Sequence, residues 1–179
     1  MTAPSPRLAP LLAQLDTSLD MLLARMRGLG DAEYRWLPEP AAATVAPDAA
    51  GRLRPAPLPD DAPRTRTIAV LAGHLGEMAV LRADHTVGSH AMGPDDVSYP
   101  ATAGAGLAFV RDGWARWRAA LAGLADGELD VVGRCGYPGG LDPTLPILDI
   151  AWWMNRELIH HGAEMAFVRD LYARRSATA

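Results

Sequence analysis

Lysine is absent from this chain of 179 residues, so all 17 basic side chains are arginine. The 21 acidic side chains outnumber them, which gives a formal net charge of -4 and a pI near 5.7. Phosphate binding requires a concentrated positive surface, so this balance argues against a nucleic-acid partner. Arginine without lysine, beside abundant Ala, Gly and Pro, indicates a very G+C-rich genome, such as an actinobacterial one.

Cysteine and long apolar runs are also scarce. Cys135 is the single cysteine, so no internal disulfide can form, which fits a reducing cytoplasm. No stretch approaches the roughly 18 uncharged residues of a membrane span. Pro and Asp interrupt the first twenty residues where a secretion signal would be continuously apolar. We therefore expect a cytoplasmic protein without a membrane partner.

Four segments place apolar residues at helical spacing, and no segment carries a strong strand signal. The segments run over about 7–28, 67–88, 106–124 and 147–174, and Thr67 is the expected N-cap of the second. The chain is predicted to be a single domain over 1–179, with a long ordered loop at about 38–66 and a C-terminal tail at about 175–179. The fold class is therefore all-α, a four-helix bundle with long connections.

Two tryptophan pairs follow the helical pattern of the third and fourth predicted helices. Trp114 with Trp117, and Trp152 with Trp153, are predicted to lie in the core rather than to form a stacking platform. If the bundle binds a partner or dimerises, the exposed face of the third predicted helix is the expected contact surface.

The stretch "NRELIHHGAEM", residues 155–165, concentrates ionisable groups in the fourth predicted helix. Glu157 and His161 are four residues apart, so they lie on one face, and Glu164 follows near it. His160 is rotated by about 100° from His161, so the two histidines do not face the same centre. Such a face is consistent with metal ligands, with an acid–base pair or with a solvated polar surface.

His74 interrupts the apolar run "VLAGHLGEM" near the middle of the second predicted helix. Together with Glu157 and His161 it would provide two imidazoles and one carboxylate. That set suits zinc or another first-row divalent ion and leaves a position open for water or substrate. A bound ion would lower the pKa of coordinated water or thiol. A hydrogen-bonded core histidine is the alternative interpretation of His74.

The segments "TIAVLAGHLGEM" and "NRELIHHGAEMAFVRDLY" resemble the DinB/YfiT-like superfamily, and the resemblance covers most of the chain. It implies a four-helix bundle in an unusual arrangement, with a three-residue metal site built from its second and fourth helices. His74 and His161 take family ligand positions, and Glu164 takes a Gln/Glu position. Glu157 stands where a histidine is commoner, which is similar to the mycothiol-dependent maleylpyruvate isomerase branch. An alternative register uses Arg156 and His160 instead.

The resemblance implies a thiol-dependent S-transferase or isomerase that acts on a small electrophilic substrate. Zinc or nickel is the expected ion, and mycothiol is the expected thiol for a chain of this composition. Arg82, Arg156 and Arg169 are candidates for binding an acidic group of cofactor or substrate, since a guanidinium suits carboxylates. Two alternatives stay open: a metal-independent enzyme using His74, Glu157 and His161 as acid–base groups, and a non-catalytic bundle that binds a ligand or forms a homodimer.

Overall fold

A computed structural model describes residues 5–57, 59, 65–137 and 143–175 of the chain, so most of the predicted tail lies outside the described residues. Four long helices account for most of the structure, with one short helix and one small hairpin between the first two long ones. The α-helices and strands are α1 (Ala9–Arg25), α2 (Asp31–Tyr34), β1 (Val45–Pro47), β2 (Leu53–Pro55), α3 (Ile68–Val87), α4 (Ala103–Ala122) and α5 (Ile147–Arg175). Two short 3-10 helices, Pro94–Asp96 and Asp126–Asp130, lie on either side of α4.

The predicted all-α bundle is confirmed. Helix α3 packs against α4 and α5, and α1 packs against the same two helices, so the four long helices enclose one core. Thr67 caps α3 as predicted, because its side-chain oxygen accepts a hydrogen bond from the backbone N–H of Val70 at 3.3 Å. Within the described residues, none of the helices combines the length and apolar character that crossing a bilayer requires.

The tryptophans divide between core and surface. Trp114 and Trp117 are fully buried, and the Trp114 indole N–H donates to the Leu75 carbonyl at 3.0 Å. The prediction for Trp152 was wrong, since this residue is 57% exposed. Trp152 lies four residues before exposed Arg156 and seven before exposed Ile159, on the outward face of α5, whereas Trp153 is half-buried. Trp114 and Trp117 of α4 are buried, so they cannot contribute to the contact surface expected on this helix.

Glycines on α3 allow two aromatic rings to lie directly on its backbone. A Cβ atom added at Gly73 would lie 1.9 Å from the Tyr99 ring, and one added at Gly76 would lie 2.2 Å from the Phe109 ring. No side chain fits in either place. The aromatic rings fix one side of α3, while His74, the next residue along, points toward α5.

The long loop predicted at about 38–66 contains an antiparallel hairpin, in which Ala46 of β1 pairs with Arg54 of β2. Strands of three residues that each end in proline are too short to show an alternating pattern, which is why the sequence gave no strand signal. The Arg54 guanidinium lies 2.7 Å from the Glu77 carboxylate of α3, and the Tyr99 hydroxyl donates to the same carboxylate at 2.7 Å. These contacts fasten the hairpin to α3 one turn beyond His74.

Candidate metal centre

Antiparallel packing of α3 against α5 brings the predicted ligands together. His74 lies opposite Glu157 and His161, and Arg66, just before α3, lies opposite Glu164. The His74 and His161 rings are 5.0 Å apart between centroids and almost perpendicular, at 88°. One helix therefore supplies an imidazole, and the other supplies an imidazole and a carboxylate.

The three side chains offer ligand atoms that all lie within 4.8 Å of one another. Glu157 Oε2 is 3.2 Å from His161 Nε2 and 3.9 Å from His74 Nε2. Ligand atoms about 2.0–2.2 Å from a tetrahedral zinc ion are about 3.3–3.6 Å from each other. The observed separations bracket that range, so the three groups fit a first-row divalent ion. The His74 side chain is 40% exposed, which leaves one side of the group open to a small molecule.

Glu164 orients the His161 ring. His161 Nδ1 lies 3.0 Å from Glu164 Oε2, and Arg66 Nη1 lies 3.2 Å from the same oxygen. Arg66 Nη1 is also 3.3 Å from His161 Nδ1, but a guanidinium can only donate, so the two contacts to Nδ1 are not both hydrogen bonds. The shorter contact to a carboxylate favours Nδ1–H donating to Glu164. The Nε2 lone pair of His161 then points at Glu157, as a metal ligand requires.

The electrostatics of the group favour ligand protonation states at neutral pH. Desolvation and the neighbouring His161 ring hold the pKa of His74 below its usual value, against the attraction of nearby carboxylates. Burial alone would raise the pKa of Glu157, but the hydrogen bond from Arg156 and the nearby histidines lower it below its usual value. A neutral imidazole and an ionised carboxylate are the forms that bind metal ions.

A second grouping, His160 with His161 and Glu164, also brings three ligand atoms close together. It is the poorer candidate, because the Arg66 guanidinium lies against both His161 and Glu164 and would repel a second cation there. His160 itself is exposed. The geometry therefore agrees with the register that uses Glu157 and His161 rather than the one that uses Arg156 and His160.

The three arginines proposed for ligand binding lie in different surroundings. Arg156 is 54% exposed and its Nη2 donates to Glu157 Oε1 at 2.8 Å, beside the candidate centre. Arg82 is buried two turns beyond His74, donates to the carbonyl of Cys135 at 2.8 Å and stacks on the Tyr137 ring. Only Arg156 among these residues is both accessible and adjacent to the three ligands.

Arg169 lies two turns beyond His161 on α5. Its Nη1 donates to the Arg25 carbonyl at 2.6 Å, and its Nε lies 3.2 Å from the Glu33 carboxylate. These contacts join α5 to the end of α1 and to α2. The structure therefore does not bring Arg169 to the group formed by His74, Glu157 and His161.

Arg66 is the residue at the centre that the sequence did not indicate. It directly precedes the Thr67 cap and is held by a parallel bridge to Ala43. If α3 and α5 were known to pack antiparallel, the position of Arg66 at the start of α3 would predict that it lies opposite Glu164. That inference needs the helix pairing, which a helical pattern alone does not provide.

Two imidazoles and one carboxylate converge between two helices of this bundle. The protein is therefore a helical bundle with a side-chain group that could hold a metal ion. The chain belongs to the DinB superfamily, since the model of that family matches residues 14–165. Comparison with curated proteins and with solved structures found no match.

Proposed function

We propose that this protein is a divalent-metal-dependent enzyme in which His74, Glu157 and His161 hold the ion. The observation that carries the proposal is the 3.2 Å separation of His161 Nε2 from Glu157 Oε2. With Nδ1–H donated to Glu164, both of these atoms present lone pairs to each other. Two acceptors at that distance repel unless a cation lies between them, and His74 approaches the same point from α3.

The proposed reaction is transfer or isomerisation that depends on a thiol cofactor, with mycothiol as the expected thiol and a small electrophile as the substrate. A bound zinc or nickel ion would lower the pKa of a coordinated thiol and so supply a sulfur nucleophile at neutral pH. The chain's own groups would do the positioning. Glu164 holds the His161 ring, and the exposed Arg156 guanidinium beside Glu157 would bind an acidic group of the thiol or the substrate.

Metal content of protein purified without an affinity tag tests the first part. We expect about one divalent ion per chain, lost in His74→Ala and in His161→Ala. His160→Ala is the matched control, because it removes the neighbouring exposed imidazole and should keep the ion. Metal-free wild-type protein, or an ion lost equally from the control, would rule out this centre.

Thiol dependence is tested separately on the metal-loaded protein. A thermal shift with mycothiol that is absent with its S-methylated form would support a thiol bound through sulfur. Arg156→Gln should weaken the shift while keeping the ion. Equal shifts with both forms would contradict the thiol assignment without affecting the metal assignment.

One contact favours a second candidate function. The Arg156 guanidinium already donates to Glu157 Oε1 at 2.8 Å, so a cation is present beside the carboxylate. Arg156 would then partly neutralise the Glu157 carboxylate without a metal ion. A proton on His161 Nε2 would form a hydrogen bond to Glu157 Oε2 and so account for the 3.2 Å contact between these two atoms. His74, Glu157 and His161 would then act as general acid–base groups in a metal-independent enzyme. Activity that survives thorough chelation but is lost in His161→Ala would select this function.

A further inference from the structure

An apolar surface lies on the side of α5 that faces away from the candidate metal centre. An open groove of about 980 Å³ runs between α1 and α5, and the residues that line it include the small residues Ala13, Gly162, Ala163 and Ala166. Large apolar side chains stand along this face and are strongly exposed: Met21 at 68%, Trp152 at 57%, Ile159 at 45% and Phe167 at 62%. A face this apolar on a charged, globular chain marks an interaction surface.

The residues on α5 are arranged symmetrically about Ala163. Ile159 lies four residues before Ala163 and Phe167 four after it, while Arg156 lies seven before and Asp170 seven after. Steps of four and seven residues are close to one and two helical turns, so all five residues share one face. In an antiparallel pairing of two α5 helices, each residue before the midpoint faces its counterpart after it.

That symmetry makes the face complementary to itself. With Ala163 on a two-fold axis, Ile159 of one copy would face Phe167 of the other, and Arg156 would face Asp170. The small side chains at the midpoint allow the two helices to approach closely. Arg156 and Asp170 are each 54% exposed, and both keep hydrogen-bonding capacity beyond their contacts with Glu157 and Arg25.

The size of the face suits a weak, reversible dimer. Helix α1 has 17 residues and is about 25 Å long, and two helices packed side by side are about 20 Å wide. The projected area is then about 500 Å², and the accessible area of the corrugated side chains is larger. A standard stable interface buries about 800 Å² on each partner, so a face of this size is at the small end, where association is reversible.

We propose that the face formed by α1 and α5 binds a second copy of this chain, with α5 paired antiparallel to α5 about Ala163. The exposed side chains of Ile159 and Phe167 pack against their counterparts across the two-fold axis. Two pairs of opposite charge, each between Arg156 and Asp170 of different copies, fix the register. This inference does not depend on a metal ion, but it gives Arg156 a second partner besides the acidic group named in the proposed reaction.

Sedimentation velocity of wild-type protein and charge variants tests the register. Wild type should be a dimer at about 100 µM, and Arg156→Glu and Asp170→Arg should each dissociate at least about tenfold more readily, because each places like charges opposite one another. An equimolar mixture of these two variants should form a heterodimer, since every opposed pair then has opposite signs. Monomeric wild type, or a mixture of two folded variants that stays monomeric, would overturn the proposal.

Ala163→Glu gives an independent test that leaves those charges in place. It puts two carboxylates at the two-fold axis and should yield folded monomer, as checked by circular dichroism. Ala115→Glu on the exposed face of α4 is the matched control and should remain a dimer. If Ala115→Glu is monomeric while Ala163→Glu is dimeric, the interface lies on α4 and the proposal is wrong.

Discussion

The Nδ1 atom of His161 lies 3.0 Å from Oε2 of Glu164, one helical turn along α5. This carboxylate fixes the ring so that Nε2 faces His74 and Glu157. A carboxylate that orients a ligand imidazole also raises its basicity. This contact within α5 therefore affects how well His161 can bind an ion whose other ligands include His74 of α3.

Removing that carboxylate should weaken metal binding without unfolding the protein. We expect Glu164→Ala to reduce metal affinity about 10–100-fold, and Glu164→Gln to reduce it less, because an amide oxygen still accepts from Nδ1–H. Competition with a chromophoric chelator measures the affinity. Asp149→Ala, an exposed change on the same helix, is the control. Unaltered affinity in Glu164→Ala would mean that Glu164 does not orient the ligand.

A bound ion should stabilise the fold, because its ligands come from both α3 and α5. At a free metal concentration of 100 times Kd, the free energy of unfolding rises by about 2.7 kcal/mol. For a chain of this size we expect the melting temperature to rise by about 5–10 °C. Differential scanning fluorimetry before and after chelation measures the change. The same rise in His74→Ala would show that the ion stabilises the protein from another site.

Gly73→Ala should destabilise the protein although alanine is the better helix former. The added methyl group would lie 1.9 Å from the Tyr99 ring, so the ring or α3 must move, at a cost of about 1–3 kcal/mol. Gly104→Ala is the matched control, because no atom lies within 4 Å of its added Cβ. That change should be neutral or stabilise by up to about 1 kcal/mol. Urea unfolding compares the two, and equal effects would contradict the close contact.

Asp84 near the end of α3 should contribute to acid sensitivity. Hydrogen bonds from the backbone N–H of Met92, from the hydroxyl and backbone N–H of Ser89 and from the backbone N–H of Ala91 hold its pKa at about 2, below the ordinary 3.8. A carboxyl with a lowered native pKa stabilises the fold above the unfolded value, and this contribution disappears as the pH falls from about 4 to about 2.

The variant Asp84→Asn should therefore be less stable than wild type at pH 6, and the difference should shrink on acidification to pH 2. Denaturant midpoints across this range measure the effect. Asp20→Asn, an exposed change on α1, should show a much smaller difference. A constant difference between Asp84→Asn and wild type at every pH would show that the Asp84 charge is not responsible.

Local features of the sequence were enough to define the helices. Apolar spacing located all four long helices to within a few residues, and the Thr67 cap placed the start of α3. Spacing also put Glu157 and His161 on one face, because a four-residue step is fixed by helix geometry whatever the helix packs against. The sequence did not predict α2 or the hairpin, because neither is long enough to show a repeating apolar pattern.

Only the tertiary structure decided what those faces meet. Antiparallel packing of α3 and α5 brings His74 to Glu157 and Arg66 to Glu164. Neither contact can be predicted from the local sequence of one helix. Packing also turned Trp152 outward while Trp114 went into the core, although both lie on helices with apolar periodicity. A sequence period fixes directions around a helix axis, but the neighbouring helices determine which of those directions are buried.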